Sequence, residues 1–250
     1  MNKQKEFNKL IKDMGKCELC SQLFKKSNKK LIDCSLINIY KDESICLNIP
    51  TVWTDWYSRI NADIMIVGQD WGPYQDMLKY RDEYIELLKT DEDAWVNLVR
   101  RQESLTHKNM YKFLKASAKL ENYELEENFM DNIYVTNAVM CARQGTSYRD
   151  TKYFDVKPCT LNCTKFLKKQ IDIVKPKIIL ALGYHPLLSL SKIYNFEIGN
   201  NLTDVINSID VIKTDNVVII PAYHPVAQVK QDEQLKIYSL IWKEVKNEKV

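Results

Sequence analysis

Four short apolar stretches set between amphipathic helical patterns constrain this chain most. They lie at residues 62–67, 133–136, 177–182 and 217–220, and they are rich in Ile and Val. Stretches of that length without polar alternation read as strands buried on both faces. Helical patterns separate them. Residues 77–104 are highly charged; residues 106–120 place Met110, Phe113, Leu114 and Ala118 on one face; residues 159–174 and 187–194 follow, and a last helix starts near Asp232. Strands alternating with helices predict a parallel sheet covered on both faces, an α/β chain folded as a three-layer α/β/α sandwich with a central four-stranded parallel sheet. Ligands of such sheets lie beyond the carboxyl ends of the strands. Three of the four strands end in polar turns carrying Asp70, Asn137 and His224, and the other ends in Gly183. The topology alone therefore gathers those three side chains at one edge.

With 250 residues the chain is sized for a single domain with a sizeable core, and its 45% hydrophobic and 28% charged content excludes general disorder. Residues 1–30 read as one basic helical region, with Phe7, Leu10, Ile11 and Met14 at helical spacing, and residues 77–105 read as a helical insertion. No apolar run approaches the roughly 18 residues of a membrane span. The charged N-terminal sequence lacks the apolar core of a secretion signal, so the expected location is the cytoplasm. The net charge of +3 permits a polyanionic partner where positive charge clusters. No obligate protein partner is evident.

Seven cysteines in a chain expected to stay in a reducing compartment point to metal or cluster ligation rather than disulfides. Cys17 and Cys20 form a Cys-x-x-Cys pair, close enough to bind one centre. The second pair comes from Cys141, Cys159 and Cys163, with Cys34 and Cys46 also available. Four thiolates suit zinc and an iron–sulfur cluster equally.

The ordered motifs resemble the uracil-DNA glycosylase superfamily, most closely its iron–sulfur branch of thermophile type. Residues 64–72, Ile-Met-Ile-Val-Gly-Gln-Asp-Trp-Gly, stand where that branch has a strand and a Gly-Glu-Ala-Pro-Gly turn, with Asp76 at the trailing acidic position. Residues 134–143, Tyr-Val-Thr-Asn-Ala-Val-Met-Cys-Ala-Arg, resemble its Thr-Asn-x-x-x-Cys-x-Arg strand end. Residues 163–183 resemble its helix-then-strand signature, and His224 with Pro225 its His-Pro motif. The family register puts a proline thirteen residues after the fourth ligand, which selects Cys163, followed by Pro176, over Cys159. The resemblance thus implies a structural four-iron, four-sulfur cluster on Cys17, Cys20, Cys141 and Cys163, with zinc as the alternative.

It also implies a monofunctional DNA glycosylase, a hydrolase that cuts the N-glycosidic bond of a flipped-out pyrimidine in DNA and leaves an abasic site. That chemistry needs a donor for the leaving base, a carboxylate near the cation-like sugar and its attacking water, and a reader of the base edge. By resemblance His224 is the donor and Asn137 the reader. Asp70 is the carboxylate, a feature shared with another branch whose turn reads Gly-Gln-Asp-Pro-Tyr-His; a helix cap is its plainer role. Gly68, Gln69, Trp71, Gly72 and Tyr74 would line the base pocket. Gly72 replaces a tyrosine that blocks substituents on pyrimidine C5 in that other branch, so uracil and a 5-modified cytosine, such as the glucosylated hydroxymethylcytosine of some phage DNA, are both expected substrates. The first would mean DNA repair by base excision and the second phage defence. Tyr74 and Tyr80 are candidates for stacking on the base. Arg143, Arg149 and Lys230, with Lys25, Lys26, Lys29 and Lys30, are candidate DNA contacts. The non-enzymatic alternative is an iron–sulfur or zinc nucleic-acid-binding protein on the same fold.

Overall fold

The computed structural model describes residues 2–22, 24–27, 30–33, 35–41, 59–72, 74, 105–127, 129–144 and 156–247. The expected insertion at 77–104, Arg149, Lys29, Cys34, Cys46, Asp76 and Tyr80 lie outside the described residues.

The four apolar stretches form the strands β4 (Ile64–Gly68), β5 (Ile133–Asn137), β7 (Ile178–Leu182) and β9 (Val218–Ala222), paired in parallel in the order β5-β4-β7-β9. Their β-branched residues suit a pleated surface packed on both sides. A fifth strand, β8 (Ile212–Lys213), adds antiparallel to β9 and pairs no further along it than Ile219. Pro221 lies just beyond and has no N–H to offer an outer strand. The expected central four-stranded parallel sheet is present, and β8 extends it to a five-stranded mixed sheet. A two-residue strand is too short to show a period in the sequence.

Alternation along the strands divides the core into two layers. Met65, Val67, Tyr134, Ile179 and Ala181 face α1 (Lys3–Gly15), α3 (Val156–Val174) and α4 (Tyr184–Tyr194). Ile64, Ile66, Val135, Leu180 and Ile220 face α2 (Leu105–Leu120) and α6 (Gln231–Asn247). A short helix, α5 (Leu202–Ser208), precedes β8.

Residues 1–30 are not one helix. Asn2 caps α1 by accepting from the Gln4 and Lys5 amides at 3.0 and 3.3 Å. The helix stops at Gly15, where a Cβ would lie 2.7 Å from the Tyr40 carbonyl. Backbone crowding at that crossing ends the helix, and Asn38 completes the end by donating to the Met14 and Cys17 carbonyls at 2.9 and 2.8 Å. Cys17 and Cys20 thus sit in a turn. The antiparallel hairpin β1 (Phe24–Ser27) and β2 (Lys30–Asp33) follows, with Lys25, Lys26 and Lys30 in its strands.

His107 on α2 is buried, and burial pushes its imidazole down to about 4. Its ordinary value is 6.5, so as pH falls below 6.5 the unfolded chain takes up a proton that the folded chain refuses. This contribution is fully present above 6.5 and is lost as pH falls toward about 4, by roughly 3 kcal/mol in all. Urea unfolding at pH 7 and pH 4.5 checks it: the wild type should lose more stability over that interval than His107→Leu, by about 2 kcal/mol. Equal losses in the two proteins would refute it.

Candidate functional site

The parallel register brings the carboxyl ends of β4, β5 and β9 together. Gly68 stands opposite Asn137 in the β4–β5 ladder. A Cβ on Gly68 would lie 2.4 Å from Asn137 Oδ1, so only glycine lets the amide lie across the end of β4. Asn137 is 2% exposed, and its Nδ2 has no hydrogen-bond partner among the described residues. A buried amide donor without a partner is costly and marks a position shaped for a ligand acceptor.

The turn after β4 is laced to the segment after β5. Ala138 N donates to Gly68 O at 2.8 Å, Val139 N to Gln69 O at 2.9 Å and Arg143 N to Gly72 O at 3.0 Å. Trp71 Nε1 donates to Met140 O at 3.0 Å. Trp71 is expected in the base pocket, but the structure packs its ring into the core. Gly72 has φ 79°, in the left-handed region, and no described residue lies within 4 Å of where its Cβ would stand. Tyr74 is half-buried against the same core.

His224 follows β9 and is half-buried. The Val226 amide donates to its Nδ1 at 3.4 Å. Burial lowers its affinity for a proton, and the nearby Asp70 charge pulls the other way with less effect. A neutral ring that accepts at Nδ1 carries its hydrogen on Nε2, so the imidazole is a neutral Nε2–H donor. Its loop is clamped from two helices. Asn109 on α2 donates to Pro225 O at 2.9 Å, and Gln234 on α6 donates to His224 O at 3.0 Å.

Asp70 is the most heavily engaged group of the site. Arg143 Nε donates to Oδ1 at 2.9 Å and Nη2 to Oδ2, a bidentate pair whose side chains are 3% and 7% exposed. The Gly72 amide donates to Oδ1 at 2.8 Å and Gln69 Nε2 to Oδ2 at 2.9 Å. The expectation that Arg143 meets DNA at the surface is therefore corrected: it lies in β6 (Ala142–Arg143), paired with β3 (Leu36–Ile37), and is buried against Asp70. A planar, bidentate guanidinium is the cation best suited to a buried carboxylate. Lys230 is exposed.

Behind this turn, three segments bring five free cysteines together. Cys17 and Cys20 come from the turn after α1, Cys141 from the segment after β5, and Cys159 and Cys163 from α3. Cys20, Cys141 and Cys159 pack in one apolar cluster, and burial, followed by the charges of Cys20 and Cys17, pushes the Cys141 thiol up to about 12. Asn162 Nδ2 donates to Cys20 Sγ at 3.6 Å, and the Met140 amide to Cys163 Sγ at 3.5 Å. The Cys159 and Cys163 thiols, and to a smaller extent Asn162, lower the Cys20 thiol to about 3, toward the thiolate that binds metals. Among the described residues no three His, Cys, Asp or Glu side chains converge on one point as ligands of a single ion. The donor set nonetheless fits a thiolate-bound centre: only sulfur ligands, from separate segments, with outer N–H donors aimed at them.

Together the fold and site define an α/β protein that works at the carboxyl edge of a parallel sheet. The chain belongs to the Uracil DNA glycosylase superfamily, whose family model matches residues 55–246. Cys17 and Cys20 lie before that match. A type-4 uracil-DNA glycosylase of Sulfurisphaera tokodaii is 27% identical over 142 residues, covering 54% of this chain and 60% of the relative. The chain thus spans about three-fifths of the length of that curated relative.

Gln234, Asn109 and the burial of Arg143 escape a reading of the sequence. Gln234 left a trace there, as a polar residue in the stripe otherwise made by Ile237, Tyr238 and Ile241. Arg143 left none, since its partner lies 73 residues away. Removing one member of a buried ion pair strands the other charge. Arg143→Met should therefore destabilise the fold by about 3–5 kcal/mol, and Asp70→Asn with Arg143→Met should recover most of that loss. Urea denaturation of the two variants checks this, and a double variant as unstable as the single one would refute it.

Proposed function

We propose that this protein is a DNA glycosylase that hydrolyses the N-glycosidic bond of a pyrimidine in DNA, releases the base and leaves an abasic site. The observation that carries the reading is the His224 ring, accepting at Nδ1 from the Val226 amide, at the same sheet edge as the unpartnered Asn137 amide. Family membership supports it. In this reading a pyrimidine leaves the stack and enters the edge between β5 and β9. Asn137 hydrogen-bonds its Watson–Crick edge. As the bond breaks, negative charge grows on the base, and His224 Nε2–H donates to it. A neutral donor gives up no proton and stays matched to an oxyanion. Asp70 favours the cation-like sugar by its charge, and it orients the attacking water once Arg143 yields one of its oxygens.

A four-iron, four-sulfur cluster on Cys17, Cys20, Cys141 and Cys163, or zinc in its place, would act structurally by joining the N-terminal turn to α3 and to the segment carrying Cys141. Uracil is the default substrate. Gly72 supports a second one, a 5-modified cytosine such as the glucosylated hydroxymethyl base of phage DNA, because no described residue lies within 4 Å of where its Cβ would stand and, by resemblance, a tyrosine at this position is what blocks substituents on C5. Lys230, Arg149 and the lysines of the β1–β2 hairpin are the proposed phosphate contacts. The full engagement of both Asp70 oxygens favours one rival, a binding protein on the same fold without chemistry.

Base release decides among these. The protein is incubated with DNA containing uracil and with DNA containing glucosylated hydroxymethylcytosine, and alkali converts abasic sites to strand breaks. Breaks are expected in at least one DNA, reduced about 10²–10³-fold by His224→Ala. DNA binding with no breaks in either would overturn the glycosylase reading for both bases. The pH profile adds a second check. Burial holds His224 below its ordinary 6.5, so the rate should show no His224 titration from pH 6.5 to 8. A titration in that interval that His224→Gln abolishes would refute the neutral donor.

A further inference from the structure

Helix α3 carries two buried cysteines one turn apart. Cys159 and Cys163 stand at i and i+4, so both leave the same helix face. Their surroundings differ. Cys159 is fully buried and shares an apolar cluster with Cys20, Cys141, Leu36 and Val139. Cys163 packs in the larger core on that side of the sheet, where half-buried Cys17 also rests. Cys159 thus packs directly with two of the assigned ligands, one turn before Cys163 on the same face. Packing alone accounts poorly for Cys159, because an alanine or valine would fill an apolar site without bringing a fifth sulfur against Cys20.

We propose that Cys159 is a fifth thiol of the metal centre, able to take the coordination position assigned to Cys163. The proposal rests on the thiolate-bound centre described above. The exchange is balanced within the protein. The Cys159 S–H releases its proton and the sulfur bonds the metal, while the Cys163–metal bond breaks and that thiolate takes up a proton. No group is oxidised or reduced. The i, i+4 spacing makes this geometrically short, since both sulfurs leave one helix face and α3 need not unwind.

The test is metal content and visible absorbance after anaerobic reconstitution with ferrous iron and sulfide. Wild type, Cys159→Ala, Cys163→Ala and the double variant are compared, with the Ser substitutions repeated in case an Ala variant does not fold. Each single variant should keep most of the wild-type iron, and the double variant should lose roughly tenfold or more. An empty Cys163→Ala protein beside a loaded wild type overturns the role of Cys159 alone. A loaded double variant, or an empty Cys159→Ala protein with a full Cys163→Ala protein, overturns the exchange. A wild type that holds neither iron nor zinc overturns the metal centre itself, and the exchange with it.

Discussion

The backbone ladder between the turn 68–72 and the segment 138–143 is the constraint on which the site depends. It prolongs the β4–β5 pairing past the ends of both strands, through Ala138 N to Gly68 O and Val139 N to Gln69 O, and closes with Arg143 N to Gly72 O. The same few residues present Asn137 at the sheet edge, Arg143 to Asp70 and Cys141 to the other thiols. A shift of this ladder by one residue would turn each of those side chains to the opposite face. Site geometry and thiol geometry are therefore one packing problem, and movement at Cys141 is felt two residues away at the guanidinium that holds Asp70.

The Asp70–Arg143 pair shows how that problem is solved energetically. Desolvating two charges costs several kcal/mol, which their attraction offsets only when geometry and further hydrogen bonds are good. Here they are, because the Gly72 amide and Gln69 Nε2 use the remaining acceptor capacity of Asp70. The pair locks the turn after β4 and contributes mainly to a single arrangement of it. His224 is held by a different device. It stands on a loop whose carbonyls accept from Asn109 and Gln234, side chains on the two helices of the opposite layer. The turn with Asp70 and the loop with His224 are thus anchored from separate layers of the sandwich.

Much of this was legible in the sequence. The four core strands announce themselves because strands buried on both faces have no alternative to continuous Ile, Val and Leu, and the sheet edge they define assembles Asp70, Asn137 and His224 from residues as much as 154 positions apart. The i, i+4 placement of Cys159 and Cys163 was also visible. What escaped falls into two physical kinds. Elements shorter than a period leave no pattern: β8 has two residues, and the β1–β2 hairpin has four in each strand. Side-chain partnerships across the fold leave no local mark, so Arg143 reads as one more surface cation until Asp70 is seen beside it. The overlong N-terminal helix is an intermediate case. Gly15 was an available stop signal, but its reason, the Tyr40 carbonyl crossing at close range, lies 25 residues downstream.

The distribution of satisfied and unsatisfied groups separates scaffold from reader at this edge. Asp70 is closed on all sides by donors, and Arg143 is buried with it. Asn137 is equally buried, yet its Nδ2 donor has no partner among the described residues, while His224 accepts at Nδ1 from the Val226 amide. A folding requirement alone would select an apolar residue at the end of β5, since an unpaired buried amide costs about 1–3 kcal/mol. That cost is tolerable where a ligand acceptor meets the donor in the working state. In the proposed function Asn137 and His224 give hydrogen bonds to the guest, whereas Asp70 holds the turn. Any part Asp70 takes in chemistry requires the guest to compete with Arg143 for it.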